Sequence, residues 1–208
     1  MADATSGFKV LIATKNFGKA REVESILSGL NIQFSTLLDF PQINAPDETG
    51  NSYVENAALK ARYYALTTGL WALADDSGLE VDALGGKPGV FSARYAGNQA
   101  ADSDRVARLL SELSKLSDQQ RNARFRSAVV ISDEQGRVIN IAEGTCEGSI
   151  TKAPRGQRGF GYDPIFIPDG QLETFAELPQ QIKDQISHRA KALEGTRAFL
   201  TELLKKQT

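Results

Sequence analysis

The chain has 208 residues, of which 41% are hydrophobic and 24% charged, a balance that supports one compact globular domain and excludes a disordered chain. Its net charge of −2 offers no bulk positive field, so neither a nucleic-acid partner nor an anionic membrane is expected. One cysteine, Cys146, excludes an internal disulfide, and a single histidine excludes a His-rich metal site.

The opening MADATSG at 1–7 has neither a basic nor an apolar leader character and reads as an N-terminal extension before a domain at 8–208. No stretch approaches the ~18 apolar residues of a membrane span. The expected location is cytoplasmic, where a lone thiol stays reduced. FKVLIA at 8–13 predicts a buried strand, followed by a polar turn from Thr14 to Lys19. Val23, Ile26, Leu27 and Leu30 recur at helical spacing. A second strand is expected from Asn31 onward, then an irregular loop bracketed by Pro41 and Pro46. Ser52 and Glu55 form the pattern of a capping box that opens a helix.

LWALA at 70–74 predicts another buried strand, with Asp75 and Asp76 at its end. The Gly-rich stretch 82–97 reads as a long ordered loop. Val106, Leu109, Leu110 and Leu113 mark a helix with Asp102 or Ser103 as its cap. Segments 124–131 and 137–142 flank DEQG, the pattern of a hairpin, and 146–150 continues it. The basic loop 151–163 leads to a short strand at 165–167. From Gln181 onward one long helix, broken near Gly195, is expected. Strands and helices interleave around a hairpin, so the class is α/β with a mixed twisted sheet and flanking helices.

Three clusters carry chemistry. In the first, Thr14, Lys15, Asn16, Phe17, Gly18 and Lys19 lie between a strand and a helix N-terminus, where backbone amides and the helix dipole attract anions. Lys19 is unfavourable in a first helical turn, and a bound phosphate would remove that conflict. The GxxxxGK[ST] loop is absent, and a plain solvated loop competes with the anion reading. The second cluster is Glu48 with Asp75 and Asp76, and Mg²⁺, which uses one or two carboxylates with waters and substrate phosphates, suits it. The competing reading has Asp75 capping a turn and Asp76 facing solvent. In the third, glycines surround Phe160, Gly161, Tyr162 and Asp163, with Lys183, His188 and Arg189 following. Phe160 or Tyr162 has a ring to stack on a base, and Arg and His have donors to read keto oxygens. His188, the only histidine, also reads as a satisfied core or helix-surface residue.

The motifs ATKNFGKAREVESIL, DETGNSYVENAALKA, ALADDSGLEVDALGGKPGVFSARYAG, GQRGFGYDPIF and ISHRAKAL, in this order, span nearly the whole chain. In them the sequence resembles the inosine triphosphate pyrophosphatase family, the Ham1-like pyrophosphatases of non-standard purine nucleoside triphosphates. The resemblance implies Mg²⁺-dependent hydrolysis of ITP, dITP or XTP to the monophosphate and pyrophosphate. It also implies an elongated, two-lobed single domain with a central cleft, and a homodimer. Carried onto this sequence, Thr14 to Lys19 is the triphosphate turn and Lys60 a cation near the phosphates. Glu48 and Asp76 match metal-site acids with Asp75 beside them, and Asp76 matches the proton acceptor. Ser77 matches a substrate contact, and Phe160, Gly161, Tyr162 and Asp163, completed by Lys183, His188 and Arg189, match the base pocket. The alternative is a catalytically inactive nucleotide-binding or regulatory protein.

Overall fold

A computed structural model describes residues 8–114 and 120–206, so the extension at 1–7 lies outside the described residues. Six strands form one sheet in the order β2-β1-β3-β4-β5-β6. They are β1 (Phe8–Ile12), β2 (Ile32–Thr36), β3 (Trp71–Val81), β4 (Asn122–Ser132), β5 (Val138–Ile150) and β6 (Phe166–Pro168). β1 runs parallel to β2 and to β3, whereas β5 and β6 pair antiparallel, so the sheet is mixed as expected. The DEQG turn joins β4 to β5, with Asp133 N–H donating to the Arg137 carbonyl and Gly136 at φ +74°. The helices are α1 (Phe17–Ile26), α2 (Tyr53–Thr68), α3 (Asp102–Leu113), α4 (Gln180–Ile186) and α5 (His188–Lys205).

The chain divides into two compact units, residues 1–76, 128–142 and 192–208 in one and residues 77–127 and 143–191 in the other. Each has its own core. In the first, Val10 and Ile12 of β1 and Leu73 of β3 meet Ala20, Val23 and Leu27 from the α1 side and Leu193 and Leu200 of α5. In the second, Leu79, Phe125, Cys146, Tyr162, Phe166 and Phe175 pack with Leu109 and Leu113 of α3. Such burial, at roughly 25 cal/mol per Å² of apolar surface, is the main stabilising term.

Several local expectations are corrected. β3 does not stop before the acids but runs through Asp75 and Asp76 to Val81, because its residues are buried on both faces and lysines neutralise the two carboxylates. The α3 cap position is Ala101 rather than Asp102 or Ser103. Its amide donates to the Asp104 carboxylate at 2.9 Å, while the Asp102 carboxylate is engaged elsewhere. At α2, Ser52 Oγ caps the Glu55 amide as expected, but the Glu55 carboxylate reaches back to the Asn51 amide at 2.7 Å. The C-terminal helix breaks at Ser187, not Gly195. Ser187 is extended (ψ 158°), and its Oγ accepts from the Ala190 amide to start α5. Gly195 stays helical, where a Cβ would lie 3.3 Å from the Ala142 Cβ.

Candidate active site

The strand–turn–helix at the end of β1 places Asn16 as the N-cap of α1, its Oδ1 accepting from the Lys19 amide at 3.0 Å. Thr14 Oγ1 accepts from the Asn16 amide at 3.1 Å, which shapes the turn. Thr14, Lys15, Asn16 and Phe17, with Arg21 and Thr36, line a cavity of about 170 Å³. Lys15, Asn16 and Phe17 are exposed, and Gly18 is half-buried. The Lys19 ammonium, in the first turn of α1 where the helix dipole disfavours a cation, meets Asp75 Oδ2 at 2.8 Å. A carboxylate of the protein, not only a bound anion, thus relieves the conflict seen in the sequence.

Successive side chains of a strand alternate in direction, so Asp75 and Asp76 take different lysines. Asp76 Oδ1 lies 2.7 Å from Lys60 Nζ, which also meets Glu48 Oε1 at 3.0 Å and the Asp75 carbonyl at 3.0 Å. Both strand acids are buried, and neither faces solvent or caps a turn. Burial pushes the Asp76 carboxyl above its ordinary range, against the pull of Lys60 and Lys19. For Lys60, burial alone acts downward, but Asp76 and Glu48 reverse it and hold the ammonium above its ordinary value.

Sequence reasoning missed Asn56. Fully buried on α2, it accepts the Gly50 amide on Oδ1 at 2.8 Å and reaches Asp76 Oδ2 with Nδ2 at 3.5 Å. One side chain thereby ties the loop after Glu48 to the strand acid. Gly50 is required here, because a Cβ would stand 2.7 Å from Asn56 Oδ1. The signal in the sequence was a lone Asn on an alanine-rich face, one turn before Lys60.

Glu48 and Asp76 fit a divalent metal ion, since their oxygens already converge on one cationic nitrogen and hard carboxylate donors are what Mg²⁺ takes. Asp75 faces Lys19, and among the described residues no three acidic, His or Cys side chains form a metal-holding group.

In the second unit, Asp163 Oδ2 accepts from the Phe160 amide at 2.9 Å and from Lys183 Nζ at 2.6 Å. Asp163 and Lys183 are both buried, and the ammonium stands 4.7 Å from the Phe160 ring centroid. The Arg189 guanidinium is buried, 5.7 Å from the same ring, and donates to Ser77 Oγ at 3.0 Å. His188 is buried with its ring stacked on Phe125, centroids 4.6 Å apart. Lys183 and Arg189 thus gather around half-buried Phe160. Tyr162 does not join it as a stacking ring: it is buried in the core with its hydroxyl donating to the Ser92 carbonyl at 3.0 Å. Gly161 adopts φ +62° beside it.

Fold and site define an α/β protein with a mixed six-stranded sheet and a lysine–carboxylate centre where β1 ends. The chain belongs to the Ham1 family, whose pattern matches residues 10–199. A relative from Geobacillus kaustophilus, named dITP/XTP pyrophosphatase, is 49% identical over 187 residues, 89% of this chain and 90% of its own. The solved structure of a HAM1 protein from Coxiella burnetii matches with a TM-score of 0.84 at 42% identity, covering 94% of this chain and 99% of that one. The Ham1 protein of Staphylococcus aureus matches with a TM-score of 0.81 at 35% identity, covering 93% and 98%.

Proposed function

We propose that the chain hydrolyses dITP, ITP and XTP to the nucleoside monophosphate and pyrophosphate with Mg²⁺, clearing deaminated purines from the nucleotide pool. The observation that carries this reading is the convergence of Glu48 and Asp76 on Lys60, in a chain whose relatives are named dITP/XTP pyrophosphatases. Three carboxylates against two ammonium groups leave the centre negative, so a polyphosphate needs an added cation to approach it. Glu48 and Asp76 would hold that ion, which neutralises phosphate charge when bound.

In this reading the amides and side chains of Thr14 to Lys19 bind the phosphate chain, and Lys60 is shared between the acids and phosphate oxygens. Asp76 orients a water molecule and takes its proton as the oxygen adds to phosphorus. The bond between the α- and β-phosphoryl groups breaks, and pyrophosphate leaves. Oδ2 of Asp76, which among the described residues has a long contact from Asn56, is the oxygen suited to accept that proton.

The base is assigned to Phe160, Gly161 and Asp163 with Lys183, His188, Arg189 and Ser77. The donors of Lys183 and Arg189 suit a 6-keto oxygen, whereas the 6-amino group of adenine would face them donor to donor. Residues 8–208 form the functional domain, and the working state is a cytoplasmic homodimer acting on a small-molecule substrate without nucleic acid. Sedimentation giving a single-chain species would remove the dimer. Purified protein with Mg²⁺ should release pyrophosphate from dITP far faster than from dATP; equal rates on the two would refute the 6-keto selectivity.

A further inference from the structure

We propose that Asp102, held by Arg105, is a positioning residue for the purine-recognition turn: it fixes the Gly161 amide and thereby sets where Phe160 presents its ring to the base. The inference rests on the functional reading above.

Two consecutive amides of this turn end on carboxylates. The Phe160 N–H donates to Asp163 Oδ2 at 2.9 Å, and the Gly161 N–H donates to Asp102 Oδ2 at 2.6 Å. Asp163 is an inner brace, buried with its counter-ion Lys183. Asp102 is an outer brace, arriving from the first turn of α3 with its side chain 47% exposed. Its second oxygen receives Arg105 Nη1, and Arg105 Nη2 donates to the Ala100 carbonyl at 2.6 Å. The brace is thus anchored on both sides of the residue that enters α3.

Gly161 is half-buried at φ +62°, and a Cβ there would meet nothing within 4 Å beyond its chain neighbours among the described residues. Within the turn the Asp163 N–H donates to the Phe160 carbonyl at 3.2 Å, and the Gly161–Asp102 bond adds the tie from this turn to α3. A bond to an ionised acceptor is stronger and more directional than a neutral one. Because the brace is solvent-exposed, its loss lets water take the Gly161 amide, so the turn shifts while the fold survives. A ring displaced by even a fraction of its stacking distance binds a base less well, without touching the phosphate chemistry.

The test compares wild type, Asp102→Ala, Asp102→Asn and Arg105→Ala in steady-state pyrophosphate release from dITP, with tripolyphosphate as a base-free inhibitor. Asp102→Ala should raise KM for dITP about tenfold with kcat within about twofold. Asp102→Asn should restore most of the loss, because its amide oxygen still accepts from Gly161. Arg105→Ala should raise KM by about threefold. Tripolyphosphate should inhibit every form equally. An unchanged KM in Asp102→Ala overturns the proposal, as does tripolyphosphate inhibition that weakens in step with KM. Should Asp102→Ala not fold, an unchanged KM in Arg105→Ala overturns it. A wild type that releases no pyrophosphate from dITP overturns the functional reading instead. The brace is then judged by Gly161 amide-proton exchange, which should be slow in wild type; exchange at the rate of an open loop contradicts it.

Discussion

Lys60 Nζ stands 2.7 Å from Asp76 Oδ1 and 3.0 Å from Glu48 Oε1, so one ammonium group holds a strand acid and a loop acid at a single point. A second lysine, Lys19, serves Asp75 one residue earlier. The alternation of β3 thus turns a like-charge dipeptide into two separate ion pairs, which is how adjacent carboxylates remain buried in a strand.

Glu48 lies in a loop and is less buried than its partner, so its loss is expected to cost metal binding more than fold. Glu48→Gln should raise the Mg²⁺ concentration for half-maximal pyrophosphate release by about tenfold or more. Its thermal midpoint should stay within a few degrees of wild type, as for a weak, partly exposed pair. A Mg²⁺ titration identical to wild type would remove Glu48 from the metal site.

The pH behaviour of Asp76 follows from its burial. The folded protein binds the Asp76 proton more tightly than the unfolded chain, whose ordinary value is 3.8. The stability linked to this group is therefore complete below pH 3.8 and is lost as pH rises through the higher folded value. Lys60 behaves likewise at the other end: its contribution is complete below 10.5 and is lost as pH rises through its raised value. Carbon-13 titration of Asp76 should give a midpoint above 3.8, and Lys60→Met should move it higher still. A midpoint at or below 3.8 would contradict the burial argument.

The Asp163–Lys183 pair is buried on both sides. Removing one partner strands the other charge, so Asp163→Ala should destabilise the protein by about 3–5 kcal/mol. Urea unfolding measures this. A loss under about 1 kcal/mol would show that Lys183 finds solvent or another partner.

Much of this was legible in the chain. The mixed character of the sheet, the DEQG hairpin and the Ser52 cap follow from periodicity and turn chemistry, which are local. What the sequence hid depends on contacts between distant residues. Asp75 and Asp76 look like a strand terminus until Lys19 and Lys60 make their burial affordable. Gly195 looks like a helix breaker, yet an exposed-helix cost of about 1 kcal/mol does not end a helix, whereas the Ser187 cap starts a new one. Tyr162 looks like a stacking ring because it sits in a glycine-containing loop, but its hydroxyl donates to the Ser92 carbonyl and the ring is buried in the core. Asn56 was invisible for the same reason: both of its partners lie outside its helix.

The proton-accepting role given to Asp76 is tested most directly by pyrophosphate release from dITP in Asp76→Asn beside wild type, at saturating Mg²⁺ and with matched far-ultraviolet spectra. The amide keeps the shape but cannot take a proton, so kcat should fall by at least about 10²-fold. A variant that turns over dITP as fast as wild type would contradict the account.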